Sequence, residues 1–298
     1  MTLSANLLAI SEKMYAERPS VPLFHYTSIA GLIGITQSKA LWASEVRYLN
    51  DAQELQHFGQ LANQKILNAQ SISSDAVEVE ILKQFGDWIE ERLTSGPLIF
   101  VGSLTEDGNL LSQWRGYCPH GQGVSLGFHP DPLIEAVKTN DFSLGRCIYD
   151  REQQTQVVDE VISAILSGAK AKGPAPTSSK HPTQSFHGIF DEFDGGILRI
   201  AALLKHPAFS EEREWRAVSS AFSNYVTAPI RHRPGKSMIV PFINLPLPTQ
   251  DNLLDVPLIV VGPTPTPKLS IDSISQFLSK NASHSQPRIY NCCIPYRP

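Results

Sequence analysis

No stretch of about 18 consecutive apolar residues occurs in the sequence, so no segment is long enough to cross a bilayer as a helix. The opening Met1-Thr2-Leu3-Ser4-Ala5-Asn6 lacks the basic start and apolar stretch of a secretion signal. Cysteine is scarce: Cys118, Cys147, Cys292 and Cys293 are the four, and none forms a CxxC pair. Zinc-site spacing is therefore missing and no metal is expected. Sparse thiols without a secretion signal suit a reducing compartment, so a cytoplasmic location is expected, with no membrane partner. Neither GxGxxG nor GxxxxGK[ST] occurs, which removes the common phosphate-cradling loops. Positive charge is not in excess either. With 25 Lys and Arg against 29 Asp and Glu, the net charge of −4 argues against a chain-wide basic surface for nucleic acid. The densest local basic group is Arg231-His232-Arg233 with Lys236, a candidate local groove for phosphate backbones whose plainer reading is a solvated turn before a strand.

The 298 residues are 42% hydrophobic, enough apolar material for one large core or two smaller ones. A short strand ending near His25 leads to Ser28, which has the chemistry of a helix N-cap before Ile29, Leu32, Ile33 and Ile35. Leu41-Trp42-Ala43 reads as a strand, and Asp51 as the opening of a long helix carrying Leu55, Phe58, Leu61 and Ile66 on one face. A second long helix is expected over 75–94, and a buried strand at Leu98-Ile99-Phe100-Val101. Later strands are expected at 124–128, 142–149, 237–243, 257–261 and 287–294, with helices around 157–166, 185–205 and 271–279. Residues 168–184 read as a flexible loop. The elements mix without βαβ regularity and without internal repeats. The expectation is therefore a single α+β domain over 1–298.

Three polar clusters abut buried strands. His25-Tyr26-Thr27 sets an imidazole, a phenol and a hydroxyl at a strand end, a combination suited to a ligand with hydroxyls and a flat ring. A lone histidine there would otherwise be a satisfied core residue. Ser103-Leu104-Thr105 precedes Trp114-Arg115-Gly116-Tyr117. Arg115 offers a cationic fork for phosphate or carboxylate, or else anchors its own loop. Glu212-Arg213-Glu214, read as a strand, puts two carboxylates about 7 Å apart on one face. Such a pair can orient a nucleophile and stabilise a cationic sugar, or simply pair with Arg213, Arg216 or Lys205. Cys118 lies in a Gly/Pro-rich loop and has no recognisable partner motif for nucleophilic work.

Several phrases resemble a widespread bacterial family of uncharacterised proteins: Leu23-Phe24-His25-Tyr26-Thr27-Ser28, Leu41-Trp42-Ala43, Tyr48-Leu49-Asn50-Asp51 and Leu111 to Tyr117. Gly123 to Phe128, Phe209 to Arg216 and Ile294 to Arg297 complete the set. More distantly, the His25-Tyr26-Thr27 strand, followed by a helix and a short strand, is similar to the first strand of NAD-dependent ADP-ribosyltransferases. That resemblance implies a split mixed β-sheet with helical insertions, and NAD as substrate. It implies that His25 holds ribose hydroxyls, that an aromatic such as Tyr48 stacks on nicotinamide, and that Glu212 or Glu214 stabilises the ribosyl cation. Tyr26 stands where that superfamily has glycine.

The function expected is transfer of ADP-ribose from NAD to a protein or nucleic-acid acceptor, in a toxin or anti-phage setting. Glu214, Glu212 and His25 would be catalytic. His25, Tyr26, Thr27, Tyr48, Ser103, Trp114, Arg115 and Tyr117 would bind the nucleotide. The rivals are an RNA-end phosphotransferase or nuclease, and a non-catalytic nucleotide- or partner-binding module.

Overall fold

A computed structural model describes residues 3–49, 54–118, 123–176, 184–235, 237–281, 287–292 and 294. Asn50, Asp51, Lys236, Cys293 and Pro295 to Arg297, named above, lie outside the described residues. The helices are α1 (Leu3–Met14), α2 (Ile29–Ser38), α3 (Glu54–Ile72), α4 (Ala76–Ser95), α5 (Leu111–Tyr117), α6 (Pro130–Thr139), α7 (Arg151–Lys172), α8 (His187–Asp191), α9 (Asp194–Ala201) and α10 (Pro267–Asn281). The strands are β1 (Leu23–Thr27), β2 (Ala40–Glu45), β3 (Phe100–Thr105), β4 (Val124–Phe128), β5 (Phe142–Arg146), β6 (Ala175–Pro176), β7 (Gln184–Ser185), β8 (Glu214–Ser219), β9 (Arg231–Pro234), β10 (Ile239–Pro246), β11 (Thr249–Gln250), β12 (Leu253–Leu254), β13 (Leu258–Val261) and β14 (Arg288–Asn291).

Helix starts follow side-chain chemistry. Ser28 caps α2 by accepting from the Gly31 amide at 3.0 Å. Asp75 caps α4 and Asp150 caps α7 in the same way, each carboxylate satisfying amides that no turn of the helix can reach. Four expectations shift. The 112–117 segment forms helix α5 rather than a loop, because Gln113 and Trp114 turn inward while their neighbours stay exposed. The strand expected at 98–101 runs instead from Phe100 to Thr105. The helix expected over 185–205 is interrupted at Glu192-Phe193, which separate α8 from α9, whose first turn holds the weak helix formers Asp194-Gly195-Gly196. Finally, α7 continues to Lys172, so the expected loop begins later and its centre, 177–183, lies outside the described residues.

Ten strands form one mixed sheet, in the order β14-β13-β4-β1-β3-β2-β10-β9, with β8 on β3 and β5 on β8. Only β13 and β14 pair in parallel among the described strands. The architecture is α+β with a large mixed sheet.

Alternation along the strands sends side chains into two cores. Val101 and Val218 face a helical layer built on α3, α4, α7, α8 and α9, where Phe58, Phe85, Trp88 and Phe190 are buried. Phe100, Leu104, Trp215 and Ala217 face the opposite layer with Leu32 of α2, Leu133 of α6 and Leu278 of α10. Each such fully buried large apolar side chain contributes about 1.5–3 kcal/mol.

One register detail shapes the site. β1 meets β3 only at Phe24↔Thr105, whereas β2 meets the same edge at Ser44↔Val101 and Glu45↔Phe100. Strands β1 and β2 thus take opposite ends of one edge of β3 and diverge between them. The turn after β2 is pinned by Arg47, which donates to the carbonyls of Leu93, Gly96 and Pro97 and to Glu45 at 2.9 Å. Glu45 is fully buried, and burial raises its pKa against the opposing pull of Arg47. Arg47→Ala is expected to lower the unfolding free energy by about 3–5 kcal/mol, because it strands a buried carboxylate. Urea denaturation measures this, and a loss below about 1 kcal/mol, the scale of an exposed pair, would refute it.

Candidate functional site

The divergence of β1 and β2 leaves the backbone of Gly102 to Leu104 without a strand partner on that edge. His25 fills part of the gap: its Nδ1 lies 3.0 Å from the Ser103 carbonyl oxygen. A carbonyl can only accept, so Nδ1 carries the proton and Nε2 of the neutral ring is an acceptor. Burial lowers the His25 pKa, against the opposing effect of the Ser103 carbonyl, which keeps the ring neutral at pH 7.

A cavity of about 540 Å³ opens at this split. His25, Thr27 and Ser28 line one side, and the small residues Ala30, Gly31 and Gly34 of α2 leave room above them. A side chain at Gly31 would collide with Thr27 Oγ1, 1.9 Å from where its Cβ would stand, so the glycine is what lets this hydroxyl sit against the helix. Trp42 and Ser44 on β2, Tyr48, Ser103 on β3, and Tyr117 complete the wall with Lys205, Glu214, Arg216 and Arg233. A small adjoining pocket of about 40 Å³ is shared by His25, Ser103, Tyr117, Glu212 and Glu214.

The two carboxylates converge, though not by strand alternation. Glu212 ends a short 3-10 segment, Arg213 takes a left-handed conformation at φ 41°, and Glu214 begins β8. This kink aims both carboxylates at Lys205 Nζ, each at 2.6 Å. Arg216 closes the cluster, its Nε 3.0 Å from Glu214 Oε1 and its Nη2 3.0 Å from Oε2, while Nη1 donates to the Ala202 carbonyl at 2.6 Å. Lys205 and Arg216 are each 1% exposed, so the pairs are shielded from water. Burial alone would raise the Glu214 pKa; the charges of Arg216 and Lys205 outweigh it and hold the carboxyl at about 2.

Tyr26 lines both the cavity and the small pocket, but its hydroxyl is committed elsewhere. Its hydroxyl donates to the Asp107 carbonyl at 2.9 Å and accepts from the Leu110 amide at 2.7 Å, fixing the loop before α5. Its ring meets Trp114 edge-on at 4.6 Å. Trp114 is fully buried and donates to Asn109, so it supports the wall rather than offering a stacking face. Arg115 is exposed on α5 and does not line the cavity. Cys118 is buried, which pushes its thiol up to about 12 and leaves no thiolate at neutral pH.

Of the residues singled out from sequence, His25, Tyr26, Thr27, Ser103, Tyr48, Tyr117 and Glu214 line one cavity, with Glu212 in the pocket beside it. Sequence reasoning gave no binding role to Lys205, Arg216 or Trp42, and weighed Arg233 only as part of a local basic group. Their signal was weak: Arg216 stands two residues from Glu214, Trp42 is an aromatic on a short strand, and Arg233 belongs to the basic group expected as a turn. Arg231 to Arg233 instead lie on β9, paired with β10.

Residues 113–217 match the family model described as "Protein of unknown function (DUF2971)". The match spans about a third of the chain, from the residue before Trp114 into β8, and so holds the Glu212–Glu214 cluster but not His25. No curated protein and no solved structure matches. Among the described residues, no helix is long and apolar enough to cross a membrane.

The Glu214 carboxyl has a folded pKa far below its ordinary value of 4.5. Its contribution is present above that value and is lost as pH falls towards about 2. The expected loss is on the order of 3 kcal/mol, seen as urea midpoints falling across this acid window. A variant with Glu214→Gln should be less stable at neutral pH and show a flatter acid dependence. Equal acid dependence in the two proteins would contradict this.

Proposed function

We propose that the cavity at the sheet split binds a nucleotide, and that the protein is an ADP-ribosyltransferase-like enzyme using NAD as its donor. The observation that carries this reading is the meeting of His25 and Glu214 at one cavity where β1 and β2 diverge along β3, as the resemblance of the His25-Tyr26-Thr27 strand implies. His25 Nε2 and Thr27 Oγ1 would hold ribose hydroxyls, and Tyr48 or Tyr117 would lie against a flat ring. Lys205 and Arg216 would face the pyrophosphate in the place first assigned to Arg115. Tyr26 stands in place of glycine and lines the cavity, with its hydroxyl committed to the 107–110 loop rather than to a ligand. In the reaction the glycosidic bond to nicotinamide breaks, and its electron pair leaves with nicotinamide. The acceptor nucleophile then bonds to the ribose carbon and gives up its proton.

A second reading, a nucleotide-binding module without catalysis, is favoured by one observation. Both oxygens of Glu214 are already engaged by Lys205 and Arg216, and two adjacent cations weaken a carboxylate's stabilisation of a sugar cation.

The test pairs calorimetric titration of NAD with chromatographic detection of nicotinamide. Wild-type protein is expected to bind NAD and release nicotinamide when supplied with acceptor. Glu214→Gln should lower the rate about a hundred- to thousandfold with binding retained. His25→Asn serves as a second variant should Glu214→Gln fail to fold, and should weaken NAD binding. Binding should also fall as pH drops below the ordinary histidine range, because protonation removes the Nε2 acceptor. Binding without release in any acceptor mixture would favour the module, and absence of both would overturn the proposal.

A further inference from the structure

The far end of the cavity carries a feature that the NAD reading does not use. Pairing of Ser44 with Phe242, and of Phe242 with Arg231, puts Trp42, Ser44, Phe242, Arg231 and Arg233 on one face of β2, β10 and β9. Trp42 is 52% exposed, whereas the other three tryptophans, Trp88, Trp114 and Trp215, are buried. Its ring is braced by Phe242 at 4.9 Å, and the Arg233 guanidinium lies 6.0 Å from its centre. Arg233 Nη2 donates to Ser44 Oγ at 3.0 Å, while its buried Nε has no hydrogen-bond partner among the described residues. Burial lowers its pKa, with no carboxylate compensating for the desolvation. An arginine with a buried N–H unused, beside an open indole face, is a receptor for an anion attached to a flat ring.

The surrounding charge extends the pattern. No aspartate or glutamate occurs between Glu214 and Asp251, a stretch holding Arg216, Arg231, Arg233 and Lys236. In a chain of net charge −4 this is a local reversal of sign. β9 is also the end strand of the sheet order, and Arg231 and His232 are exposed on it. A sheet edge that is cationic and continuous with an aromatic platform suits a repeating polyanion that carries bases.

We infer that the β9–β10–β2 face is a binding track for single-stranded nucleic acid, with a base stacked on Trp42 and its phosphate on Arg233. The track ends at the cavity, so a nucleotide of the strand is delivered to His25 and Glu214. This names nucleic acid as the acceptor class of the proposed reaction, but strand binding itself does not depend on NAD.

The experiment is a titration of the full chain, without NAD, using a fluorescein-labelled oligothymidylate of about 12 nucleotides, within the usual site size. Anisotropy gives affinity, and tryptophan emission under an unlabelled oligomer reports Trp42, the exposed indole. Wild-type protein is expected to bind in a salt-dependent manner with emission quenched. Trp42→Phe should abolish the quench, and Trp42→Ala should weaken binding about tenfold or more. Arg233→Gln should weaken binding and make the slope of log affinity against log salt shallower by about 0.7, one phosphate contact. Melting curves confirm that each variant is folded. Three results would overturn the inference: no oligomer binding, quenching that persists in Trp42→Phe, or thymidine monophosphate or a polyglutamate peptide binding as tightly as the oligomer. Nicotinamide release assayed separately keeps the NAD proposal distinguishable, since either can fail while the other stands.

Discussion

The site depends on β3 sharing one of its edges between two strands. β2 occupies the start of that edge and β1 its end, so the sheet cannot close between them. An open edge leaves backbone groups needing partners. Here the Ser103 carbonyl is taken by the imidazole of His25. The same contact fixes the tautomer of the ring and leaves its other nitrogen as an acceptor. A backbone requirement of the fold and a binding group of the cavity are therefore one interaction.

The second constraint is charge burial. Glu214, Arg216 and Lys205 are almost completely removed from water, a state with a desolvation cost that only close, multiply hydrogen-bonded pairing offsets. The kink at Arg213 and the position of Lys205 after α9 supply that pairing from separate parts of the chain. The result is a rigid wall whose charged members facing the cavity are Lys205, Arg216, Arg233 and Glu214. Cations outnumber the carboxylate, which biases the cavity towards anionic ligands.

Much of the scaffold was legible locally. Ser28 as an N-cap, the long helix over 75–94 and the strands at 124–128 and 257–261 depend on neighbours within a few residues, and they occur as expected to within one residue. Two of the departures share one cause, which is tertiary packing overriding local pattern. Trp114 draws its segment into a helix because Tyr26, far away in sequence, offers its ring an edge-on partner. Arg231 to Arg233 become a strand because β10 has an edge to fill.

The sequence by itself determined which chemistry was available: a histidine at a strand end, two glutamates with one residue between them, aromatics near both, and no phosphate-cradling loop or zinc-site spacing. Only the tertiary structure decided which of these meet. It set Arg115 outside the cavity and Arg216, Lys205 and Arg233 on its wall. Local periodicity reports whether a side chain faces in or out along one element. Convergence of side chains from β1, β2, β8 and β9 is set by strand order and register, which no short window of sequence contains.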